Sequence, residues 1–317
     1  MRIVPGKVGY AALAAEGVTR PPLALAIGNF DGVHLGHTAL LAEARARAAR
    51  RGGLAAVLTF TPHPARLFAP DRAPPLIMSL QRRLEVLEQA GMDLAIVEPF
   101  TRAFASIEAP AFVRDVLARD LGARAVVVGY DFSFGRERAG TVAMLRELGG
   151  TAGIDVAVIP PVEVDGVPCS STRIRQLVAA GDTTAAARLL GRPFEIEGAV
   201  ARGAGRGRGL GFPTANVVPE AELRPKLGIY AARAVILDGP LAGQRHAVAL
   251  SVGTNPQFSG EAVTTEAYLL DFEGDLYDRR VRLEVGERLR DERRFESIDA
   301  LVTQIRQDVA RVRQLVS

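Results

Sequence analysis

Between residues 23 and 160, five short apolar runs alternate with stretches of helical character, and this alternation narrows the fold more than any other feature of the chain. The runs cover 23–27, 54–60, 94–98, 125–128 and 155–159 and are nearly unbroken Ala, Val, Leu and Ile. Unbroken apolar runs of that length read as strands buried on both faces. Helices are expected at 38–51, 79–90, 109–121 and 141–148, with Ser79 as an N-cap and Gly91 and Gly122 as stops. Strands alternating with helices make βαβ units, and hence an α/β doubly wound parallel sheet. In such a sheet ligands bind beyond the carboxyl ends of the strands, at the switch point.

The polar clusters fall at those ends. After the first run comes Gly28-Asn29-Phe30-Asp31-Gly32-Val33-His34-Leu35-Gly36-His37, leading into a helix. Free backbone N–H groups and the helix dipole at a strand-to-helix turn favour an anion, and Gly28, Gly32 and Gly36 let the backbone turn and approach it. His34 and His37 lie at i and i+3, so their imidazoles can point the same way and donate to a phosphate. A metal would need a third ligand, and none stands at a convincing spacing. Thr61-Pro62-His63-Pro64 follows the second run, where His63 reads equally as a turn residue or a ligand contact. Asp131, after the fourth run, is placed to orient a ligand. Ser170, Ser171 or Thr172 can cap the helix that follows Cys169. With Arg173 they also form a second anion cradle, suited to the outer phosphates of a nucleotide.

Helical segments at 172–180 and 185–190 lead to a different pattern, which puts a boundary near residue 185 and domains at 1–185 and 186–317. From there short β-rich runs at 195–200, 229–236, 247–252, 264–272 and 281–285 predict a small antiparallel barrel. A closing helix from Ser297 places Ile298, Leu301, Val302, Ile305, Val309 and Val312 on one face, to cover the barrel, with Arg306, Arg311 and Arg313 in solvent. The loop from Gly203 to Gly211, with Gly207 and Arg208 within it, is neither a Walker loop nor a dinucleotide fingerprint. The Phe212-Pro213-Thr214-Ala215-Asn216 that follows adds oxygen ligands of the kind Mg²⁺ and a phosphate accept. Glu266 lies mid-strand; aimed into a barrel mouth it would be a general base, and on a solvated face it would be unremarkable.

With 317 residues the chain can build two cores. An apolar fraction of 48% and a net charge of only +3 describe an ordinary globular protein and argue against a nucleic-acid partner or a membrane. The bases are almost all Arg, scattered over the chain. A single Cys169 forms no intrachain disulfide, and no secretory signal or membrane-spanning run stands out, so the cytoplasm is expected. Oligomeric state stays open, a homo-oligomer included.

The turn ending His34-Leu35-Gly36-His37 resembles the HxGH turn of the nucleotidyltransferase superfamily, and the fuller stretch from Gly28 is similar to the bacterial bifunctional riboflavin kinase/FAD synthetase family. Val128 to Gly135 and Ser170 to Arg175 resemble further motifs of that family's adenylyltransferase module. Leu210 to Asn216, Val252-Gly253-Thr254-Asn255-Pro256 and Asp275-Leu276-Tyr277 are similar to its flavokinase module. The resemblance implies an HxGH domain of Rossmann-like fold followed by the barrel and its C-terminal helix. It implies two reactions: riboflavin and ATP giving FMN, then FMN and ATP giving FAD and pyrophosphate. It assigns Gly28, Asn29, Phe30, Gly36, Ser171, Thr172 and Arg173 to ATP in the first module, with His34 and His37 stabilising the α-phosphate. His63 and Asp131 would orient the flavin or its phosphate. Gly207, Arg208, Gly211, Thr214 and Asn216 would hold ATP in the second, the last two also Mg²⁺, and Glu266 would take the proton from the ribityl hydroxyl. One module alone could be active, or the chain could be a nucleotide-binding regulator. The chain departs from the family at Asp278, where Gly is common, at Thr141, where an acid is usual, and at Tyr268, where His is frequent; loop details rather than activity are expected to differ.

Overall fold

The computed structural model describes residues 1–15, 21–203, 209–254 and 263–316. The chain divides into two compact units, one of Met1–Pro74 with Leu80–Cys169 and the other of Pro75–Ser79 with Ser170–Ser317. The helical segments after residue 170, which the sequence reads as connectors, belong by their contacts to the second unit.

The first unit is built on six parallel strands, β1 (Arg2–Pro5), β2 (Leu23–Ile27), β3 (Leu54–Thr61), β4 (Leu94–Pro99), β5 (Ala123–Gly129) and β6 (Asp155–Ile159), in the order β1-β4-β3-β2-β5-β6. The five expected strands are all present. The edge strand β1 is an addition, too short and too polar to stand out as an apolar run. All five side chains of β2 are 2% exposed or less, as a strand covered on both faces requires. From β2 the chain runs outward through β3 and β4, then returns to lay β5 on the other side of β2, so the switch point lies between β2 and β5.

The helices of this unit are α1 (Gly6–Ala15), α2 (Leu35–Arg51), α3 (Pro64–Phe68), α4 (Leu80–Gln89), α5 (Arg102–Ala105), α6 (Ala109–Ala111) and α7 (Val142–Thr151). The expected helix at 109–121 is α-helical only at its start and continues as a π-helical segment, Phe112–Asp120. Thr141 caps α7, its side chain accepting from the Met144 N–H at 3.3 Å. At the carboxyl end of β4, buried Glu98 accepts from the Lys7 N–H in the first turn of α1 at 2.6 Å.

A hairpin of β7 (Glu163–Val164) and β8 (Val167–Pro168) ends this unit. The second unit opens with α8 (Ser171–Ala180) and α9 (Thr183–Leu190), then closes a six-stranded antiparallel barrel from β9 (Phe194–Ala201), β10 (Ala215–Pro219), β11 (Gly228–Ile236), β12 (Arg245–Thr254), β13 (Val263–Leu269) and β14 (Arg280–Arg290). The sequence predicts five of these; β10, short and ended by Pro219, reads only as a motif. The interior takes alternate residues such as Val248, Leu250, Val252, Thr265, Ala267 and Leu269. The closing helix, α10 (Ile298–Leu315), is capped by Ser297, whose hydroxyl accepts from the Ala300 N–H. Its Val309 and Val312 cover Ala231, Ala247, Ala249 and Tyr268 on the outer barrel face. Ile298, expected in that apolar stripe, is 65% exposed, and buried Asp308 takes a place in the covered face instead. Asp308 accepts three hydrogen bonds from the Arg290 guanidinium, at 2.7 to 3.1 Å, and one from Gln304 at 2.9 Å. Among the described residues no helix is long and apolar enough to cross a membrane.

Two consequences are measurable. Burial pushes Glu98 above the usual carboxylate range, against the Lys7 N–H and charge that pull it down. The folded chain therefore takes up a proton here more readily than the unfolded one, so the stability from this group is present at low pH and lost as pH rises through the raised value. Glu98→Gln should gain in thermal stability relative to the parent near pH 7, and the gain should shrink as the pH falls below about 4, where the parent carboxyl becomes protonated in both states. Asp308→Ala strands the Arg290 guanidinium, whose side chain is 19% exposed. It should cost about 3 kcal/mol in urea unfolding, whereas the double replacement Asp308→Leu with Arg290→Met should lose much less.

Candidate active sites on two compact units

The turn after β2 sits beside the switch point of the first unit. His34 is the N-cap of α2, with β-region backbone, and its Nδ1 accepts from the His37 N–H at 3.3 Å. A neutral His34 ring therefore carries its proton on Nε2. The two imidazoles stack, with centroids 3.7 Å apart and planes 21° apart, and Phe30 meets His37 edge-on at 5.2 Å. The i, i+3 spacing thus delivers one paired-imidazole surface at a helix N-terminus. Gly32 takes φ +86°, and Gly36 allows a close approach, since a Cβ there would stand 3.0 Å from the His34 ring and 3.3 Å from the Cys169 carbonyl. Gly28 lies against the Phe30 ring. Less expected, Phe30 and Val33 also adopt left-handed backbone, at φ +50° and +38°, while fully buried.

Side chains from β3 and α4 brace this turn. Arg83, 4% exposed, donates through Nη1 to the Asn29 carbonyl at 2.8 Å, to Thr59 Oγ1 at 3.2 Å and to the Phe60 carbonyl at 3.4 Å. Fully buried Thr59 donates to the same Asn29 carbonyl at 3.1 Å. Burial pulls the Arg83 guanidinium below its usual range, opposed by the charge of buried Asp31. The sequence reading missed Arg83; the signal was a base sharing the apolar face of α4 with Val86 and Leu87, at i, i+3 and i+4. His63 caps α3, its Nδ1 accepting from the Ala65 N–H at 3.2 Å, and its Nε2 lies 3.3 Å from Asn29 Nδ2. His63 is thus both a turn residue and a neighbour of the paired-imidazole turn. Asp131 is exposed after β5, across the switch point.

A chain of phenylalanines runs along the same carboxyl edge and was also missed. Phe68, Phe100, Phe60, Phe104, Phe112, Phe134 and Phe132 follow one another with centroid spacings of 5.4 to 6.2 Å. Its outer member, Phe68, is 66% exposed. The signal was an aromatic residue at or just after three successive strand ends.

In the second unit Ser170 is the residue that caps α8, accepting from the Arg173 N–H at 3.1 Å. Ser171 and Thr172 then occupy the first turn, and Arg173, exposed, reaches Gln176 at 3.3 Å.

On the barrel, Asn216 of β10 stands directly opposite Glu266 of β13, and Glu266 directly opposite Ser251 of β12. All three are half-buried and alternate with the interior residues, so they line the outer face rather than a barrel mouth. Thr214 lies two residues before Asn216, just ahead of β10. The next pair along, Ala249 and Tyr268, lies under α10, and Phe212 meets Tyr268 edge-on at 5.4 Å. The row of Asn216, Glu266 and Ser251 therefore lies beside the part of the face that α10 covers. Gly203 lies against the Asn216 amide, leaving no room for a side chain, and Glu292 packs over Gly253. Gly211 adopts φ +85°. Gly207, Arg208, Asn255 and Pro256 lie outside the described residues. Tyr277 stacks under Arg202 at 4.9 Å, and Asp278 adopts φ +62°, the conformation that the family's usual glycine supplies. Thr214 and Asn216 carry oxygen donors of the hard kind Mg²⁺ takes, few in number as suits an ion held mainly by substrate phosphates.

Comparison with known proteins finds two families along the chain. Residues 18–173 match the FAD synthetase family and residues 190–316 the riboflavin kinase family. A bifunctional riboflavin kinase/FMN adenylyltransferase of Pseudomonas fluorescens is 39% identical over 292 residues, covering 92% of each chain. That of Escherichia coli K12 is 38% identical over 315 residues, 99% of this chain and 97% of the relative. A crystal structure described as a macrolide-efflux protein from Streptococcus pneumoniae superposes with a TM-score of 0.84 at 30% identity, covering 99% of both chains. This chain belongs to the bifunctional riboflavin kinase/FMN adenylyltransferase family and is an enzyme of both activities, taking ATP and flavins as its substrates.

Proposed function

We propose that the two reactions use the two constellations separately, riboflavin phosphorylation on the outer face of the barrel and FMN adenylylation at the paired-imidazole turn. The in-register placement of Glu266 against Asn216 supports this reading, because it sets a carboxylate beside an amide that could hold a phosphate. Functionally the modules would be 1–185 for adenylylation and 186–317 for the kinase.

In the kinase, Glu266 would accept the proton of the ribityl 5′-hydroxyl as its oxygen attacks the γ-phosphorus of ATP and ADP leaves. Thr214 and Asn216 would hold the phosphates together with Mg²⁺, which neutralises charge on them when bound. Gly207, Arg208 and Gly211 would contribute the loop over the nucleotide. Positioning and charge neutralisation carry most of such a transfer, so one base and a few oxygen ligands suffice.

In the adenylyltransferase, a phosphate oxygen of FMN attacks the α-phosphorus of ATP, and the bond to the β-phosphate breaks to release pyrophosphate. The nucleophile is already an anion and needs no base. The His34 and His37 rings would donate to the oxygens of the α-phosphate as charge builds there. Gly28, Asn29, Phe30 and Gly36 would line the nucleotide. Ser171, Thr172 and Arg173 would take the departing pyrophosphate, as a capped helix start with an adjacent Arg can. The phenylalanine chain offers an apolar platform for the isoalloxazine, with His63 and Asp131 orienting the flavin or its phosphate. We take the enzyme to work in the cytoplasm on small molecules alone, with neither nucleic acid nor membrane as a partner.

Separation of the flavins after incubation with riboflavin, ATP and Mg²⁺ tests the division. His37→Ala should abolish FAD while FMN accumulates, and loss of both products would argue against separate sites. Glu266→Gln should slow FMN formation by about 100-fold or more while supplied FMN is still adenylylated. Kinase activity that survives this change would make Glu266 an ordinary strand residue.

A further inference from the structure

The turn that carries the paired imidazoles is held in a conformation its own residues do not favour. Phe30 and Val33 are bulky, buried and left-handed, and such backbone persists only where the surroundings over-determine it. The peptide just before Phe30 is the one braced most heavily, since the Asn29 carbonyl accepts from both Arg83 Nη1 and Thr59 Oγ1. The residue just after it, Asp31, is buried and lies within the field of the Arg83 charge. One guanidinium therefore acts on both sides of the strained residue. It also reaches two atoms of β3, Thr59 Oγ1 and the Phe60 carbonyl, and so ties the turn to the neighbouring strand end.

We propose that Arg83 is a positioning residue for FMN adenylylation, holding the Asn29–Phe30–Asp31 backbone so that His34 and His37 meet the reacting phosphate. It touches no substrate itself; it acts through the main chain of the turn. This proposal rests on the reading that the paired-imidazole turn is the adenylyl-transfer site. Burying an arginine costs free energy, and with its Nε unpartnered this one is not fully compensated by hydrogen bonds. A side chain placed there only to fill the core would be apolar; a cation gains by gripping a carbonyl that must not rotate. Without it Phe30 can relax toward ordinary backbone, and a shift of about 1 Å in catalytic groups costs about 100-fold in rate.

The full-length enzyme carries its own reference, because riboflavin phosphorylation can be followed in the same preparation. Arg83→Met should lower kcat for FAD formation from FMN and ATP about 100-fold with riboflavin phosphorylation unchanged. Arg83→Lys keeps a cation and a donor toward Asn29 and should restore most of that loss. Thr59→Val removes the second donor to Asn29 and one acceptor of Arg83 while leaving the guanidinium in place, and should fall between. The loss should appear in kcat, with KM for FMN little moved, and should exceed any fall in the folded fraction read by thermal unfolding. If Arg83→Met does not fold, Arg83→Lys and Thr59→Val carry the test through the same ratio of FAD to FMN formation. The proposal is overturned if these variants keep the parent kcat, or if activity falls only as the folded fraction does and Arg83→Lys is no better than Arg83→Met. His37→Ala, measured alongside, separates the two levels. FAD formation retained there removes the site reading and this proposal with it, whereas its loss beside a fully active Arg83→Met removes only the role of Arg83.

Discussion

Everything in the first unit depends on a strand with no solvent-facing side. β2 is flanked by β3 and β5 and covered on both faces, so its backbone groups are spent on the ladders and its side chains on the core. Where it ends, between neighbours that lead in opposite directions, the chain must leave through a tight turn whose N–H groups have no ladder to join. A turn suited to an anion is the natural outcome of that topology, and the imidazoles add donors beside the switch point. The barrel solves the same problem differently. Its interior is filled, and a closed sheet has no edge, so a polar row can face only outward. Helix α10 covers part of that outer face and leaves the row of Asn216, Glu266 and Ser251 uncovered.

The two reactions differ in what they ask of the protein, and the two constellations differ in the same way. A hydroxyl nucleophile must lose a proton, so a carboxylate beside it is of use. A phosphate nucleophile arrives charged, and a base would only add repulsion. The braced turn of the first unit accordingly offers ring donors and backbone N–H groups, with the nearby Asp31 buried within the field of the Arg83 charge. The outer barrel face offers Glu266. Each unit thus suits one half of the chemistry and would serve the other poorly.

Much of this was legible in residue order because it rests on local physics. Unbroken apolar runs mark buried parallel strands, Ser297 marks the start of α10, and the i, i+3 spacing of His34 and His37 makes one surface once His34 caps the helix. What was not legible depends on pairing across the chain. Nothing in the run around Glu266 says that it faces outward opposite Asn216; only the register does. Ile298 fits the apolar period of its helix, yet the helix docks through a buried Asp308 instead, because Arg290 on β14 waits for it. Arg83 looked like one more surface base among many, and its partners, a main-chain carbonyl and a threonine, lie 54 and 24 residues away. The short strands β1 and β10 lack the length for a pattern and exist because a neighbour offers an edge.

The departures from the family's motifs show that a motif specifies physics before identity. Where an acid is usual, Thr141 caps α7 with its hydroxyl, which satisfies the same orphan N–H groups and gives up only the charge at the dipole. Where glycine is common, Asp278 takes up the left-handed backbone itself, a conformation that Asp tolerates better than most side chains. The Asp275–Tyr277 turn is therefore kept, with Asp275 accepting from the Tyr277 N–H at 2.8 Å. At Tyr268 the ring supplies apolar area, packed against Phe212 and the apolar face of α10. Glu266, two residues back on the same side of β13, is the carboxylate next to it, so on the proposed reading the exchange narrows the choice of base instead of removing it.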